Sequence, residues 1–564
     1  MPRPGAPGRS APGPCRVGAV LSSNAPAASA LPTRRAELLA RLAQDAVFDL
    51  AVVGGGATGL GLALDAVARG LRVVLLEGQD FAKGTSSRAT KLLHGGVRYL
   101  AQGQLHLVRE ALHERSTLLH NAPHLAQPLG FVVPAYRWWE RSWYGLGLNA
   151  YDLLAGRAGL GRTRILSPQQ TLQRVPGARR AGLRGGVAYW DGQFDDARLA
   201  LALARSAAQR GALLLNYCQV EDLHYSGGRV SGLQYRDTLR GVGGALRARC
   251  VVNATGVWVD ALRTRDGAAH QALGGHAIAP MVAPSQGVHL VVARDFLGGD
   301  SALMVPATSD GRVLFAVPWL GKLILGTTDT PRADLASEPL PQAQEIDFIL
   351  RESARYLQRA PTRADVLSVW VGLRPLVRAP SDHGGATKGL SREHTVLVSR
   401  SGLVSVTGGK WTTYRAMAED VLRTCVARGL VPGSAAGAGR TAALRLVGAP
   451  LGGSSPGVGA PNTPLSAPPG PHLYGEEQAL LAQLPGADAW LTDGLSEAMV
   501  RFAARHEYAI TVEDMLARRA RCLFLDASLA LQLAGRVAAL LQQETGLDPQ
   551  LPAFLQLAQQ YLLP

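Results

Sequence analysis

Between residues 33 and 80 the apolar positions change period twice. Leu38, Leu39 and Leu42 recur at helical spacing, residues 48–53 form a nearly continuous apolar run into glycines, and 72–76 form another. The stretch between those runs has helical composition, so the order strand, helix, strand is predicted for 48–76. Farther on, residues 197–209 predict a helix, 212–216 a short strand, and 220–235 two alternating strands about Ser226-Gly227-Gly228. After residue 471 the apolar residues of 498–516 and of 527–541 recur at helical spacing. No fixed-period repeat is present. Strand and helix periods are mixed along most of the chain, which predicts an α/β domain interleaved with an antiparallel sheet rather than two domains in series.

Composition sets the boundaries. Residues 1–32 are mostly Pro, Gly, Ala and Ser, too poor in apolar surface to offset ordering entropy, so 1–46 reads as a disordered basic extension ending in a short helix. Residues 47–430 hold the interleaved domains, 431–470 read as a Gly/Pro-rich linker, and 471–564 as a C-terminal helical domain. The 564 residues carry a formal charge of +15. The charge is uneven: six basic and eleven acidic residues after 470 leave +20 on the rest. Such a surface suits anionic lipid, nucleic acid or a small phosphorylated substrate. Cys15, Cys218, Cys250, Cys425 and Cys522 are far apart, without metal-ligand spacing, so no metal site and a reducing compartment are expected. No segment has the length and apolar density of a membrane span, and the run after Arg3, Arg9 and Arg16 is too short for a secretory signal.

The sharpest local motif is Gly54-Gly-Gly56-Ala-Thr-Gly59 between the first strand and its helix, with Glu77 at the end of the second strand. Gly54 makes the tight turn, Gly56 lets backbone approach a pyrophosphate, and Gly59 lets helix pack on strand. The helix N-terminus faces the phosphates, and Glu77 is placed to accept from an adenosine ribose. This fingerprint alone does not separate NAD from FAD. Two further segments bear on that choice: a buried strand ending in Asn253-Ala-Thr255-Gly256, suited to passage beside a dinucleotide, and Thr407-Gly408-Gly409-Lys410-Trp-Thr412-Thr413, another strand, glycine pair and helix start. The second supplies a helix N-terminus for an anionic reduced flavin.

Together with Gly84-Thr-Ser86-Ser87-Arg-Ala-Thr-Lys91-Leu-Leu-His94-Gly-Gly-Val-Arg98-Tyr99-Leu100, Asp191-Gly-Gln-Phe-Asp195-Asp196, Gly326-Thr327-Thr328-Asp329, Gly372-Leu-Arg374-Pro375 and the segments 506–519 and 522–526, these motifs resemble the FAD-dependent glycerol-3-phosphate dehydrogenases. The resemblance spans about 47–430 and 471–545. It implies a Rossmann-like FAD-binding domain of the glutathione-reductase-like and amino-acid-oxidase-like class, interleaved with an antiparallel substrate domain and followed by a helical cap. It also implies oxidation of sn-glycerol 3-phosphate to dihydroxyacetone phosphate, with electrons passed to a membrane quinone. By the same resemblance Arg98, Arg374 and Arg392 line the substrate pocket, where Arg suits a two-point grip on phosphate. Lys410 is assigned to the flavin anion or the phosphate.

Loss of the hydroxyl proton calls for a base, and His94 and His289 sit in matched motifs; either could instead be structural. Ser86 and Ser87 join Gly54, Gly56, Gly59, Glu77, Thr255, Gly256, Gly408, Gly409 and Thr412 as expected cofactor contacts. The aromatics Tyr136, Trp138, Trp139, Trp143, Tyr144 and Tyr151 around Arg137 and Arg141 suit either a headgroup-level membrane interface or a core patch. The resemblance favours the membrane, and with it a cytoplasmic enzyme held peripherally on the inner face of the cell membrane through anionic lipid. An oxygen-using oxidase is an alternative from the same family. A flavin-containing nucleic-acid-binding protein is the rival from another class, but aromatics are only 6% of the chain and no RNA-reading module is present, so no nucleic-acid partner is expected. The oligomeric state stays open, with a homodimer among the alternatives.

Overall fold

A computed structural model of the chain describes Met1 and residues 33–44, 46–96, 104–378, 393–437, 439–450 and 463–563. The expected disorder of 1–32, and the positions Arg98 and Arg392, lie outside the described residues.

The apolar run becomes strand Val47–Val53, central in a parallel sheet between Val73–Leu76 and Val242–Asn253. Leu213–Leu215 extends the sheet on one side, and Val404–Gly408 with antiparallel His394–Val398 on the other. Register decides what gathers at the edge. Val53 pairs with both Leu76 and Asn253, so Gly54, Glu77 and Ala254 emerge side by side. The crossover helix Ala57–Ala68 packs between helices Asp196–Gln209 and Tyr414–Ala427. It is buried on nearly every face, which explains its almost wholly apolar and glycine composition. The predicted pair of alternating strands is the ribbon Cys218–Ser226 and Arg229–Asp237, attached antiparallel to Val242–Asn253.

The second sheet is almost entirely antiparallel. Its long strands are Ala126–Ala135, Gly185–Phe194, Val282–Ala293 and Ser368–Val377, with Ala302–Val305, Leu314–Trp319 and Lys322–Gly326 between them. Pairing sets His289 opposite Trp370 on one side and Gly326 on the other, and Ser285 opposite Arg374. One face of this sheet shares an apolar cluster with the C-terminal helices: Phe131, Trp319 and Trp370 pack with Phe502, Phe524 and Leu541.

The C-terminal region contains helices Glu497–His506, Ala527–Thr545 and Leu551–Gln559. The single helix expected over 498–516 is broken. Tyr508 adopts φ +58, and the Asp514 carboxylate accepts the N–H groups of Ile510 (2.8 Å) and Thr511 (2.9 Å), which starts a new wide turn over Asp514–Arg519. This turn is bolted to the parallel-sheet domain by charge. Asp80 accepts from Arg518, Arg519 and Asn216; Arg518 also reaches Glu513 (2.6 Å) and Asp514 (2.8 Å), and Glu513 receives Lys83 Nζ at 2.8 Å. Buried arginines persist only with such partners. The described flanks of the Gly/Pro-rich stretch lie against the body, with Val431, Ala435, Leu446 and Ala449 buried and Leu446 N–H on Asn121 O. Among the described residues no helix is long and apolar enough to cross a membrane.

Candidate active site

Two cavities meet at the joint between the sheets. The first, about 430 Å³, starts at the parallel-sheet edge. Gly54 turns the chain at φ +108, and a Cβ there would lie 2.7 Å from Ala254 O, so backbone passes backbone with no room for a side chain. Ala57 N–H, in the first turn of the helix, donates to Ser86 Oγ at 2.9 Å. Glu77 accepts Gly55 N–H (2.7 Å) on one oxygen and Gln79 N–H (2.8 Å) on the other, which fixes the carboxylate with lone pairs to spare. Burial pushes its pKa up, partly offset by those two amides. At the far end the cavity is walled by Thr255, Gly256, Thr407, Gly408, Gly409 and Lys410. Thr407 Oγ1 donates to Gly256 O at 3.0 Å, tying the two strand ends together.

Of the expected cofactor contacts, Gly54, Gly56, Glu77, Ser86, Thr255, Gly256, Gly408 and Gly409 line this cavity. Gly59, Ser87 and Thr412 do not. Gly59 packs on Gly54, the Ser87 carbonyl holds Lys91 and Arg521, and Thr412 is buried. An elongated cleft with glycine walls, a helix N-terminus and one fixed carboxylate fits a dinucleotide such as FAD.

The second cavity, about 670 Å³, lies across the segment 84–94 and strand Ser368–Val377. Gly84, Thr85 and Ser86 face the first cavity while Thr90 and His94 face the second; Pro375 faces the first while Arg374 faces the second. Two polypeptide pieces therefore serve as a common wall. Arg374 is held by Gln286 O (3.1 Å), Thr328 O (2.9 Å), Thr327 Oγ1 (3.1 Å) and Asp329 (3.3 Å), so its guanidinium is aimed rather than free to swing. Ser285 Oγ donates to Asp329 from behind. Arg312, which sequence reasoning passed over, lines the same end and donates to Asp329 O at 2.9 Å.

His289 is 2% exposed and does not line the cavity. Its Nε2 is 2.9 Å from Thr90 Oγ1, its ring stacks on Trp370 at 4.0 Å, and Nδ1 has no hydrogen-bond partner among the described residues. Burial first, then Arg374 and Lys91, hold its pKa well below the ordinary imidazole value, so it is neutral at neutral pH. Lys91 is itself fully buried. Its ammonium sits on Asp196 (2.7 and 2.9 Å) and Ser87 O (2.8 Å) and 4.6 Å from the centre of the Trp370 ring; burial and Arg521 lower its pKa to about 7 against the pull of Asp196.

The opposite end of this cavity is apolar: Phe131, Val133, Tyr144, Leu148, Met304 and Phe315 line it. Its outer wall is helix Glu140–Ala155, which buries Gly145, Leu148, Tyr151 and Ala155 along one face. Trp138 (85%), Trp143 (66%), Leu146 (70%) and Leu153 (84%) are left exposed. The aromatic segment is thus divided between core and surface. Tyr151 turns inward to donate to Asp191, a buried carboxylate also held by Arg115 (2.7 Å) and itself part of the cavity wall. The sequence offered Thr90 only as a member of the 84–100 motif, and nothing along the chain connects Asp191 with Tyr151. Among the described residues no cluster of His, Cys, Asp and Glu is gathered as a metal would need.

Residues 49–415 match the FAD dependent oxidoreductase family (DAO), and 474–551 match the C-terminal domain of alpha-glycerophosphate oxidase. The chain is 40% identical over 547 residues to the mitochondrial glycerol-3-phosphate dehydrogenase of Homo sapiens, covering 92% of this chain and 73% of that protein. It is also 40% identical to a mitochondrial glycerol-3-phosphate dehydrogenase of Arabidopsis thaliana, covering 92% and 86%. Among solved structures, the glycerol-3-phosphate dehydrogenase from Bacillus halodurans complexed with FAD superposes with a TM-score of 0.72 at 28% identity, covering 94% of this chain and 98% of that one. With a nucleotide cleft of glycines and one carboxylate, and a second cavity behind a shared wall, the chain belongs to the FAD-dependent oxidoreductases, in the glycerol-3-phosphate dehydrogenase family.

Proposed function

We propose that the protein oxidises sn-glycerol 3-phosphate to dihydroxyacetone phosphate and delivers the electrons to a quinone at a membrane surface. The observation that carries this reading is the second cavity, cationic and hydroxyl-lined at the end bearing Arg374 and apolar at the end beneath an exposed aromatic helix. FAD, when bound, supplies a hydride acceptor. Glu77 would hold its ribose, the Gly54–Ala57 turn and Ser86 its pyrophosphate, and the Gly408–Lys410 end its ring. Arg374, with Arg98 and Arg392 from outside the described residues, grips the phosphomonoester, and Lys410 adds positive charge at the ring end of the first cavity.

A phosphate dianion on Arg374 cancels part of the charge that depresses His289, so substrate arrival makes that imidazole a stronger base. His94 lines the cavity and positions the substrate. Trp138, Trp143, Leu146 and Leu153 dip into the headgroup region, the basic body faces anionic lipid, and an apolar acceptor enters beside the helix. On this reading the protein sits peripherally on the inner face of the cell membrane, and the exposed aromatics and basic body are what support it.

The test is purified protein supplied with glycerol 3-phosphate and either a short-chain quinone or oxygen as sole acceptor. Quinone reduction far faster than oxygen consumption is expected. The reverse ratio would establish the oxidase reading, which the match of 474–551 to an oxidase domain favours. No turnover with either acceptor, in protein loaded with FAD, would overturn both.

A further inference from the structure

We propose that Thr90 is a catalytic residue, its hydroxyl standing between the secondary alcohol of the substrate and His289 and carrying the proton from one to the other. This rests on the reading of the second cavity as the site of alcohol oxidation. The histidine cannot approach the cavity itself. Its strand fixes it opposite Trp370 and Gly326, the ring lies flat on the indole (16° between planes), and a Cβ on Gly326 would come within 2.6 Å of its Cδ2. Thr90 both touches Nε2, at 2.9 Å, and lines the cavity with Arg374 and Thr327.

Thr90 is also held in place. The next residue, Lys91, adopts φ +65, a conformation uncommon for a side-chain-bearing residue, and is anchored by Asp196, Ser87 O and the face of Trp370. Trp370 thus has an ammonium near its ring and the imidazole stacked on it. A threonine hydroxyl has one proton and two lone pairs, so it can donate to Nε2 and accept from a substrate hydroxyl at once.

The C2–H bond breaks and its electron pair leaves as hydride to FAD, the oxidant. The C2 O–H bond breaks, its proton bonds to Thr90 Oγ1, and the proton of Thr90 moves to His289 Nε2. The C2 oxygen becomes the ketone of dihydroxyacetone phosphate, and His289 later releases one proton to solvent. Two protons move in one event, which a direct base such as His94 would not require.

The experiment compares wild type, Thr90→Val and Thr90→Ser as FAD-loaded enzymes. The readouts are kcat, its dependence on the deuterium fraction of the water, and dihydroxyacetone phosphate affinity by titration calorimetry. Thr90→Val, the isostere without the hydroxyl, is expected to lose about a hundredfold in kcat with FAD content and product affinity kept, because a positioned proton acceptor contributes at least that much. Thr90→Ser should recover most of the loss. Wild type should give a bowed proton inventory, as two protons in flight require, and the valine variant a straight one.

Thr90→Val turnover within about threefold of wild type, or a straight inventory in wild type at a chemistry-limited kcat, would overturn the relay. Should the valine variant lose its flavin, Thr90→Ala is read by the same criteria, and the wild-type inventory decides independently. Wild-type protein that holds FAD yet does not oxidise glycerol 3-phosphate removes the functional reading itself, an outcome distinct from a normal wild type with an undisturbed valine variant.

Discussion

The two cavities are built from opposite materials. The cleft below Gly54 is shaped by main chain: glycines, amide groups, a helix N-terminus and one carboxylate. The chamber around Arg374 is shaped by side chains from at least six separated segments, and its groups are aimed by other side chains. A backbone-built site tolerates almost no added atom, whereas a side-chain site loses one function at a time. That contrast can be tested by breaking each without the other.

The largest effect is expected where the cleft is buttressed. Asp80→Ala strips Arg518 and Arg519 of their shared carboxylate and should cost about 3–5 kcal/mol, because the buried Arg519 is left with carbonyl partners alone while Arg518 keeps Glu513 and Asp514. A urea titration followed by flavin fluorescence and by far-ultraviolet dichroism reads it; an unchanged midpoint would show the network to be idle. The same network sets acid sensitivity. Burial alone would raise the Asp80 carboxyl, but Arg519 and Arg518 win and hold it at about 2, and Arg518 and Lys83 do the same for Glu513. Folded values below unfolded ones mean the stabilisation is complete above about pH 4.5 and is lost as pH falls towards 2. Melting temperature should drop across that window, less steeply in Asp80→Asn.

Gly54→Ala comes next. Strain at φ +108 and a methyl pressed on Ala254 O should together weaken FAD binding by about 2–4 kcal/mol while leaving the antiparallel sheet folded. Apoprotein with native dichroism that fails to retain flavin on gel filtration is the expected result. Arg374→Lys breaks the chamber instead. An ammonium cannot reproduce the planar grip, so kcat/KM should fall by about 2 kcal/mol or more in transition-state terms with FAD fully retained. Equal kinetics would remove Arg374 from the substrate.

The smallest effect on turnover is expected from replacing Trp138 and Trp139 together by Ser, which leaves Trp143 of the chamber wall in place. Activity in detergent should hold within about twofold, since these two side chains do not line the chamber, but retention on anionic vesicles at high salt should fall sharply. Cosedimentation across a salt series measures both parts of the binding.

The same contrast explains what could be read from the chain. The cleft is legible because its determinants are contiguous: Gly54, Gly56 and Glu77 fall within one strand–helix–strand unit, and register brings Ala254 beside them. Gly408 and Gly409 were legible for the same reason, as a second strand ending in glycines. The chamber was legible only through family resemblance, because Arg374, Thr90 and Asp191 are neighbours through antiparallel pairing that no local period encodes. Position within a motif also does not separate a group that lines a cavity from one that supports it. His94 and His289 looked equivalent along the chain, yet one faces the cavity and the other stands behind Thr90. The helix over 498–516 failed as a continuous element because Tyr508 interrupts it at φ +58 and the side chains of Thr511 and Asp514 each accept the other's N–H at a new start, contacts that apolar spacing does not report.

Lys83 belongs to the wall of the nucleotide cleft and, through Glu513, to the C-terminal turn. A flavin seated against Lys83 would couple to tail docking, each stabilising the other by mass action. Cofactor occupancy would then gauge the integrity of a region that, among the described residues, contributes nothing to the lining of the cleft. A lesion in the tail would first show itself as a paler protein.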